Sequence, residues 1–388
     1  MPSAIFYGQG SFQKVGEEAG LRGNRALIIT DKIMDSLGYV EQCRENLSEH
    51  AIQSSVYLDI DSEPTDTYVE ESLQIFSNDQ CDLIISLGGG SCIDTAKAVS
   101  ILASNGGYIG DYMGGKKNVT QDPIPHIAIP TTAGTGSEAT DVTVITNTST
   151  EVKMMIKQPA FMPEAAIVDP LLTRSSPKSV TAATGVDALS HALEAYISRK
   201  AHPMTDVLAL SAMELIIKNI RQAYFHGDDL EAREAMSLGA LQAGIAFSNS
   251  SVCLVHGMSR PIGALFHVPH GLSNAMLLPA VLEFSQENCQ EQLTKIGEIV
   301  GKDDTAETNP AIRTVETVKK LCLDLDIPNL KEWGIEEEKF KQVTDKMAED
   351  ALASGSPGNN PRVPTKEEVK ELYQACYDYR FTKNTTVI

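Results

Sequence analysis

The sequence predicts a chain in two parts: an α/β domain built on a parallel sheet over residues 1–180, and an all-helical domain over residues 181–388. Three observations carry this. Short, continuous apolar runs in the first part stop at polar or glycine-rich turns, as strands covered on both faces do. Beyond about residue 180 the strand signals fade and helical periodicity takes over. A length of 388 residues also exceeds one simple core, so two domains are the natural arrangement.

The first domain opens on Ile5-Phe6-Tyr7, a strand suited to a sheet edge. Arg25-Ala26-Leu27-Ile28-Ile29-Thr30 is a β-branched run that stops at Asp31. Asp82-Leu83-Ile84-Ile85-Ser86-Leu87 stops at three glycines, and His126-Ile127-Ala128-Ile129-Pro130 runs into Thr131-Thr132-Ala133-Gly134-Thr135-Gly136. Ligands of such sheets gather at the carboxyl ends of the strands, where all three unusual turns fall. In the second domain, segments 181–199, 204–224, 230–247, 271–285, 312–325 and 366–379 carry helical periodicity. Breaks are expected at His202-Pro203, Gly227-Asp228-Asp229, the Pro261 and Pro269 region and Pro328, with a turn-rich loop over 354–364.

Composition excludes several classes. A net charge of −20 argues against nucleic acid and anionic membrane surfaces as partners, because the average field repels phosphate. Seven cysteines form no C-x-x-C pair and are odd in number, which fits a reducing compartment and not a disulfide framework. No run approaches 18 apolar residues and no signal-peptide pattern opens the chain, so a cytoplasmic protein is expected.

Gly88-Gly89-Gly90-Ser91 follows a strand and opens a helix from about Ile93 to Ala103. Glycines allow a pyrophosphate close to the backbone, and the N–H groups of the helix start attract the anion. The run is neither G-x-G-x-x-G nor a P-loop. Asp31 at an earlier strand end suits the adenosine ribose hydroxyls and repels a 2′-phosphate, and it is an equally good N-cap for the helix that follows. Thr131, Thr132 and Ser137 form a hydroxyl-rich loop able to line phosphates and a ribose, or simply a polar turn.

Asp187 and His191 lie four residues apart in an Ala-rich helical stretch, on one face. His256 and His270 follow in Leu254-Val255-His256-Gly257-Met258 and His267-Val268-Pro269-His270-Gly271. One carboxylate with three imidazoles suits Zn(II) or Fe(II) better than Mg or Ca, while the plainer alternative is a polar helix face with satisfied core histidines.

Together, Gly88-Gly-Gly-Ser-Cys-Ile-Asp94-Thr-Ala-Lys97, Pro130-Thr-Thr-Ala-Gly-Thr-Gly-Ser-Glu138, Ala183-Thr-Gly-Val-Asp187-Ala-Leu-Ser-His191 and His256-Gly-Met…Pro269-His270-Gly271 resemble the iron-containing, metal-dependent alcohol dehydrogenase family, in the family's order. The resemblance runs from about Tyr7 to the last helix. It implies an N-terminal nucleotide-binding α/β domain and an all-α C-terminal domain, an architecture shared with dehydroquinate synthase. It also implies one divalent metal, Fe(II) or Zn(II), held by Asp187, His191, His256 and His270. Asp31 then matches the adenosine-ribose carboxylate and favours NAD(H). Gly89, Gly90, Ser91 and Asp94 match the pyrophosphate loop, Thr131 and Thr132 the second phosphate loop, and Lys153 the lysine near the nicotinamide ribose. The implied reaction is hydride transfer between nicotinamide and a metal-polarised carbonyl of a small aldehyde or alcohol, in a homodimer or larger homo-oligomer.

One position departs from the family. Many members carry a further histidine four residues after the third ligand, as a proton relay, and here that residue is Arg260. A guanidinium does not deprotonate near neutral pH. His267 is the nearest replacement relay, the alternative being the ribose hydroxyl and water. If the segment is helical, Arg260 shares a face with His256, so an anionic substrate such as sulfoacetaldehyde or phosphonoacetaldehyde is expected. Pairing of Arg260 with an interior carboxylate such as Glu194, or with the pyrophosphate, instead leaves a neutral alcohol, diol or hydroxyaldehyde of the lactaldehyde or propanediol type. Outside this class stand a dehydroquinate-synthase-like lyase, which needs a nest of basic residues, and a non-catalytic metal- or nucleotide-binding protein.

Overall fold

The computed structural model describes residues 1–300 and 309–381. The chain divides into two compact units, Met1–Ser176 and Pro177–Ile388.

The first unit runs β1 (Ala4–Tyr7), α1 (Val15–Gly20), β2 (Arg25–Thr30), α2 (Lys32–Ser36), α3 (Tyr39–Glu49), β3 (Gln53–Tyr57), α4 (Asp66–Asn78), β4 (Leu83–Gly88), α5 (Gly90–Asn105), β5 (His126–Pro130), β6 (Val142–Asn147), β7 (Val152–Lys157) and β8 (Ala165–Val168). Six strands form one parallel sheet in the order β1-β8-β5-β4-β2-β3. Alternate residues of β2 feed opposite faces. Leu27 and Ile29 join Val69, Phe76, Ala96 and Val99 of α4 and α5. Ala26 and Ile28 join Val15, Ala19, Val40 and Leu47 of α1 and α3. The sheet therefore has a core on each face, which is why its central strands read as unbroken apolar runs.

The chain steps outward from β2 to β3, then returns to place β4 on the other side of β2 and continues to β5 and β8. The order thus reverses between β2 and β4, where a parallel sheet opens a crevice at its carboxyl edge. Asp31 ends one of those strands and Gly88-Gly89-Gly90 the other. Strands β6 and β7 lie outside this sheet as an antiparallel ribbon, with Thr146 opposite Lys153.

The second unit is helical throughout its described residues: α6 (Lys178–Ile197), α7 (Pro203–Phe225), α8 (Leu230–Asn249), α9 (Leu254–Phe266), α10 (His270–Ser285), α11 (Gln290–Ile299), α12 (Pro310–Asp324), α13 (Glu337–Ala353) and α14 (Lys366–Tyr377). The break expected in the Pro261 and Pro269 region falls between α9 and α10, with Pro269 at the start of α10, and Pro261 itself lies inside α9. An internal proline removes one ladder donor, a loss that the buried face of α9 tolerates. No single helix among the described residues is long and apolar enough to cross a membrane.

Candidate active site

Four ligand atoms converge in the second unit. Those of Asp187, His191, His256 and His270 all lie within 4.8 Å of one another. Helix α6 supplies Asp187 and His191 one turn apart, α9 supplies His256 near its start, and α10 supplies His270 as its first residue. Gly271 lets α10 come this close to α6, because a Cβ there would sit 2.7 Å from the Ala183 carbonyl oxygen.

The cluster fits a divalent cation. Asp187 Oδ1 is 3.6 Å from His256 Nε2 and 4.0 Å from His270 Nε2. Donors around one Zn(II) at about 2.1 Å stand roughly 3.4 Å apart, so little movement separates these positions from a ligated set. Asp187 is 1% exposed, and its second oxygen is buried without a hydrogen-bond partner. A buried carboxylate oxygen left without a partner is a costly arrangement that a cation relieves. The donor set, hard to borderline, suits Fe(II) or Zn(II).

Two further residues complete the site. Glu194, one turn past His191 on α6, accepts from His256 Nδ1 at 2.6 Å, Cys253 N at 2.8 Å and Val255 N at 2.6 Å. It satisfies the N-terminal donors of α9 and, because a carboxylate only accepts, places a proton on Nδ1 and turns Nε2 toward the cluster. Asn274, four residues after His270, donates from Nδ2 to Asp187 Oδ1 at 2.7 Å and lies 3.1 and 3.2 Å from His256 Nε2 and His270 Nε2. His191 is held by stacking on Phe247 at 4.2 Å and on His256 at 4.4 Å. The family motifs do not contain Glu194 or Asn274, yet their spacings from His191 and His270 put them on the ligand faces of α6 and α10.

Burial works to raise the Asp187 carboxyl, but His191, His270 and His256 outweigh it and hold it well below the usual range. Burial likewise opposes charge on His256, yet Glu194 and Asp187 lift it to about 9. Proton and metal compete for the same Nε2 lone pair, so metal uptake is coupled to proton release.

Arg260 stands one turn after His256 on α9, half-buried. Its guanidinium donates to Ser356 Oγ at 3.3 Å. Burial lowers its pKa and the field of Glu194 opposes that shift. Glu194 itself is committed to His256 and the start of α9. His267 is the exposed C-cap of α9, with φ 54° in the left-handed region, and is not among the converging ligands.

In the first unit, Asp31 caps α2, Oδ1 accepting from Ile33 N at 2.8 Å and Met34 N at 2.9 Å. Its Oδ2 lies beside Gly88, 3.5 Å from where a Cβ would stand. Thr131 N donates to Gly88 O at 3.0 Å, and Thr132 lies 3.7 Å from a Cβ position on Gly89. A Cβ on Gly90 would stand 2.8 Å from Thr135 Cγ2, so the two loops meet at a distance only glycine allows. Ser91 is half-buried in the first turn of α5. Asp94 turns inward, accepting from Ser137 Oγ at 2.5 Å and Val144 N at 2.8 Å. Lys153 on β7 is ion-paired with Glu63. Burial raises the Asp94 carboxyl, lifts Glu138 to about 7 and lowers Lys97 to about 8.

Residues 2–170 match the family described as iron-containing alcohol dehydrogenase, and residues 181–377 match the C-terminal region of the Fe-containing alcohol dehydrogenase family. The chain belongs to the iron-containing alcohol dehydrogenase family. It is therefore an oxidoreductase that uses NAD(H) and a divalent metal, usually iron in this family. It is 37% identical over 383 residues to 1,3-propanediol dehydrogenase of Klebsiella pneumoniae, covering 97% of this chain and 98% of that one. A crystal structure of 1,3-propanediol oxidoreductase superposes with a TM-score of 0.92 at 37% identity, over 97% of this chain and 98% of the other. Sulfoacetaldehyde reductase from Bifidobacterium kashiwanohense, solved in complex with NAD+, matches with a TM-score of 0.87 at 28% identity, over 97% and 98%.

Proposed function

We propose that this alcohol dehydrogenase interconverts a small neutral alcohol or diol with its aldehyde. The observation that carries this reading is the engagement of Arg260 with Ser356, in the field of Glu194, which gives this cation partners within its own unit. The 37% identity to a propanediol dehydrogenase supports the same substrate class.

When bound, the metal supplies Lewis acidity to a carbonyl or alcohol oxygen and NAD(H) supplies or accepts the hydride. The chain's own residues prepare that chemistry. Asp187, His191, His256 and His270 hold the ion, and Glu194 and Asn274 fix the orientation of His256 and Asp187. At the switch point of the sheet, Asp31 takes the adenosine ribose, while the N–H groups of Gly89, Gly90 and Ser91 and the hydroxyls of Thr131 and Thr132 take the phosphates. Lys153 serves the nicotinamide ribose from the β6–β7 ribbon. The proton leaves through the ribose hydroxyl and water, since His267 caps a helix end in solvent. Seven free, buried cysteines are in keeping with a cytoplasmic setting, and β1, at the edge of the sheet, offers a pairing strand for a homo-oligomer.

The second reading, an anionic substrate, is favoured by the position of Arg260 one turn from His256 and by the likeness to a sulfoacetaldehyde reductase. Comparing kcat/KM for 3-hydroxypropionaldehyde and sulfoacetaldehyde in wild type and Arg260→Ala separates the two. The neutral reading expects preference for the neutral aldehyde in both proteins. A sulfoacetaldehyde preference that collapses in the variant would establish the anionic one.

A further inference from the structure

The turn that leads into α4 is stitched to the β6–β7 ribbon. Thr65 is the N-cap of α4, its hydroxyl accepting from Tyr68 N at 3.3 Å. Just before it, the Pro64 carbonyl accepts from Thr146 N at 2.7 Å, and Thr65 itself forms a parallel bridge with Thr146. Asp66, the first residue of the helix, accepts from Thr148 N at 3.1 Å and from the Tyr108 hydroxyl at 2.8 Å. That hydroxyl in turn accepts from Asn147 Nδ2 at 2.6 Å. The attachment thus runs along residues 146–148, at the end of β6 where Thr146 stands opposite Lys153.

One residue before Pro64, this attachment brings Glu63 to Lys153, and the two side chains are ion-paired. The Lys153 side chain is 12% exposed and that of Glu63 39%. A lysine normally swings on a flexible four-carbon stem, but here the stem is covered and the ammonium is tethered. The proline and the capped helix start fix the backbone from which Glu63 reaches it. An ammonium carries three protons, so one carboxylate does not exhaust its capacity to donate. We propose that Glu63 is a positioning residue for the cofactor, holding the Lys153 ammonium where its remaining protons meet the hydroxyls of the nicotinamide ribose. Without the pair, the side chain would have to be ordered each time NAD(H) binds, and the folded protein has already met that cost. This role rests on the reading of Lys153 as the lysine of the nicotinamide ribose.

Titration calorimetry of metal-loaded, full-length enzyme with two ligands tests it: NADH, and ADP, which has the adenosine and the pyrophosphate but no nicotinamide ribose. Lys153→Met should weaken NADH binding about tenfold and Glu63→Ala about fivefold, and the double variant should lose no more than about twofold beyond Lys153→Met, because Glu63 acts only through the lysine. ADP affinity should stay within about twofold of wild type in all three, since a lost hydrogen bond at the far ribose leaves that half of the site intact. If Glu63→Ala fails to fold, Glu63→Gln takes its place, with a loss of about threefold because one acceptor oxygen remains. A Glu63 variant that binds NADH like wild type, weakens ADP as much as NADH, or adds its full loss to that of Lys153→Met would overturn the positioning role alone. A Lys153→Met variant that binds NADH as tightly as wild type would overturn the reading of Lys153, and the role of Glu63 with it.

Discussion

Replacing Glu194 by Gln isolates the residue that connects the fold of α9 to the metal ligands. The carboxylate accepts three buried donors, Cys253 N, Val255 N and His256 Nδ1, at 2.6 to 2.8 Å. A glutamine keeps one acceptor oxygen and turns an NH2 group toward at least one of those donors. A buried donor left unpaired costs about 1–3 kcal/mol, so a stability loss of about 2 kcal/mol is expected. The neutral amide also withdraws the charge that orients His256, and partners of this kind are worth roughly 10–100-fold in metal affinity. Competition against a chromogenic chelator reads the Zn(II) affinity, and calorimetry of the metal-free and metal-loaded protein reads the stability. A stability loss with metal affinity within about threefold of wild type would reduce Glu194 to a helix-capping residue and refute its role at the metal.

Two further outcomes follow from the first unit. Burial lifts Glu138 to about 7, from an ordinary value of 4.5. For an acid raised in the folded state, the stability contribution is fully present below pH 4.5 and is lost as pH rises through 7, on the order of 3 kcal/mol in total. Glu138→Gln should therefore melt near wild type at pH 5 and above it at pH 8. An unchanged pH slope between the two proteins would contradict this. Gly90→Ala, whose Cβ would sit 2.8 Å from Thr135 Cγ2, should weaken NADH binding about tenfold and leave metal content intact. Unaltered affinity would show that the two loops need not meet so closely.

The legible parts of the fold are those where one physical requirement dominates. Strands β2, β4 and β5 are buried on both faces and must be apolar throughout, so their runs stand out. Strand β3, Gln53-Ser-Ser-Val-Tyr57, lies at the sheet edge, where partial exposure permits polar residues and hides the pattern. Strand β8 is half alanine and takes its state from its neighbours β1 and β5. In the Pro261 and Pro269 region the chain breaks only at the second proline: local propensity disfavours a helix at Pro261 too, and the packing of α9 decides against a turn there. At the site, the four ligands and the glycine turns carry recognisable chemistry at fixed spacings. Of the two sequence readings of Asp31, the cap is seen directly through Oδ1, while Oδ2 lies beside Gly88. Glu194, Asn274 and Lys97 act through partners far away in the chain, such as His256 for Glu194 and Thr140 for Lys97, and pairwise spacing along a helix does not reveal those partners.

Metal content and NADH-dependent aldehyde reduction, measured in the same preparations of wild type and His256→Ala after reconstitution with Fe(II) or Zn(II), show whether the four converging ligands hold the metal that turnover needs. Wild type is expected to retain the metal and turn over, and the variant to lose both together. Aldehyde reduction persisting in a variant that holds no metal would contradict this.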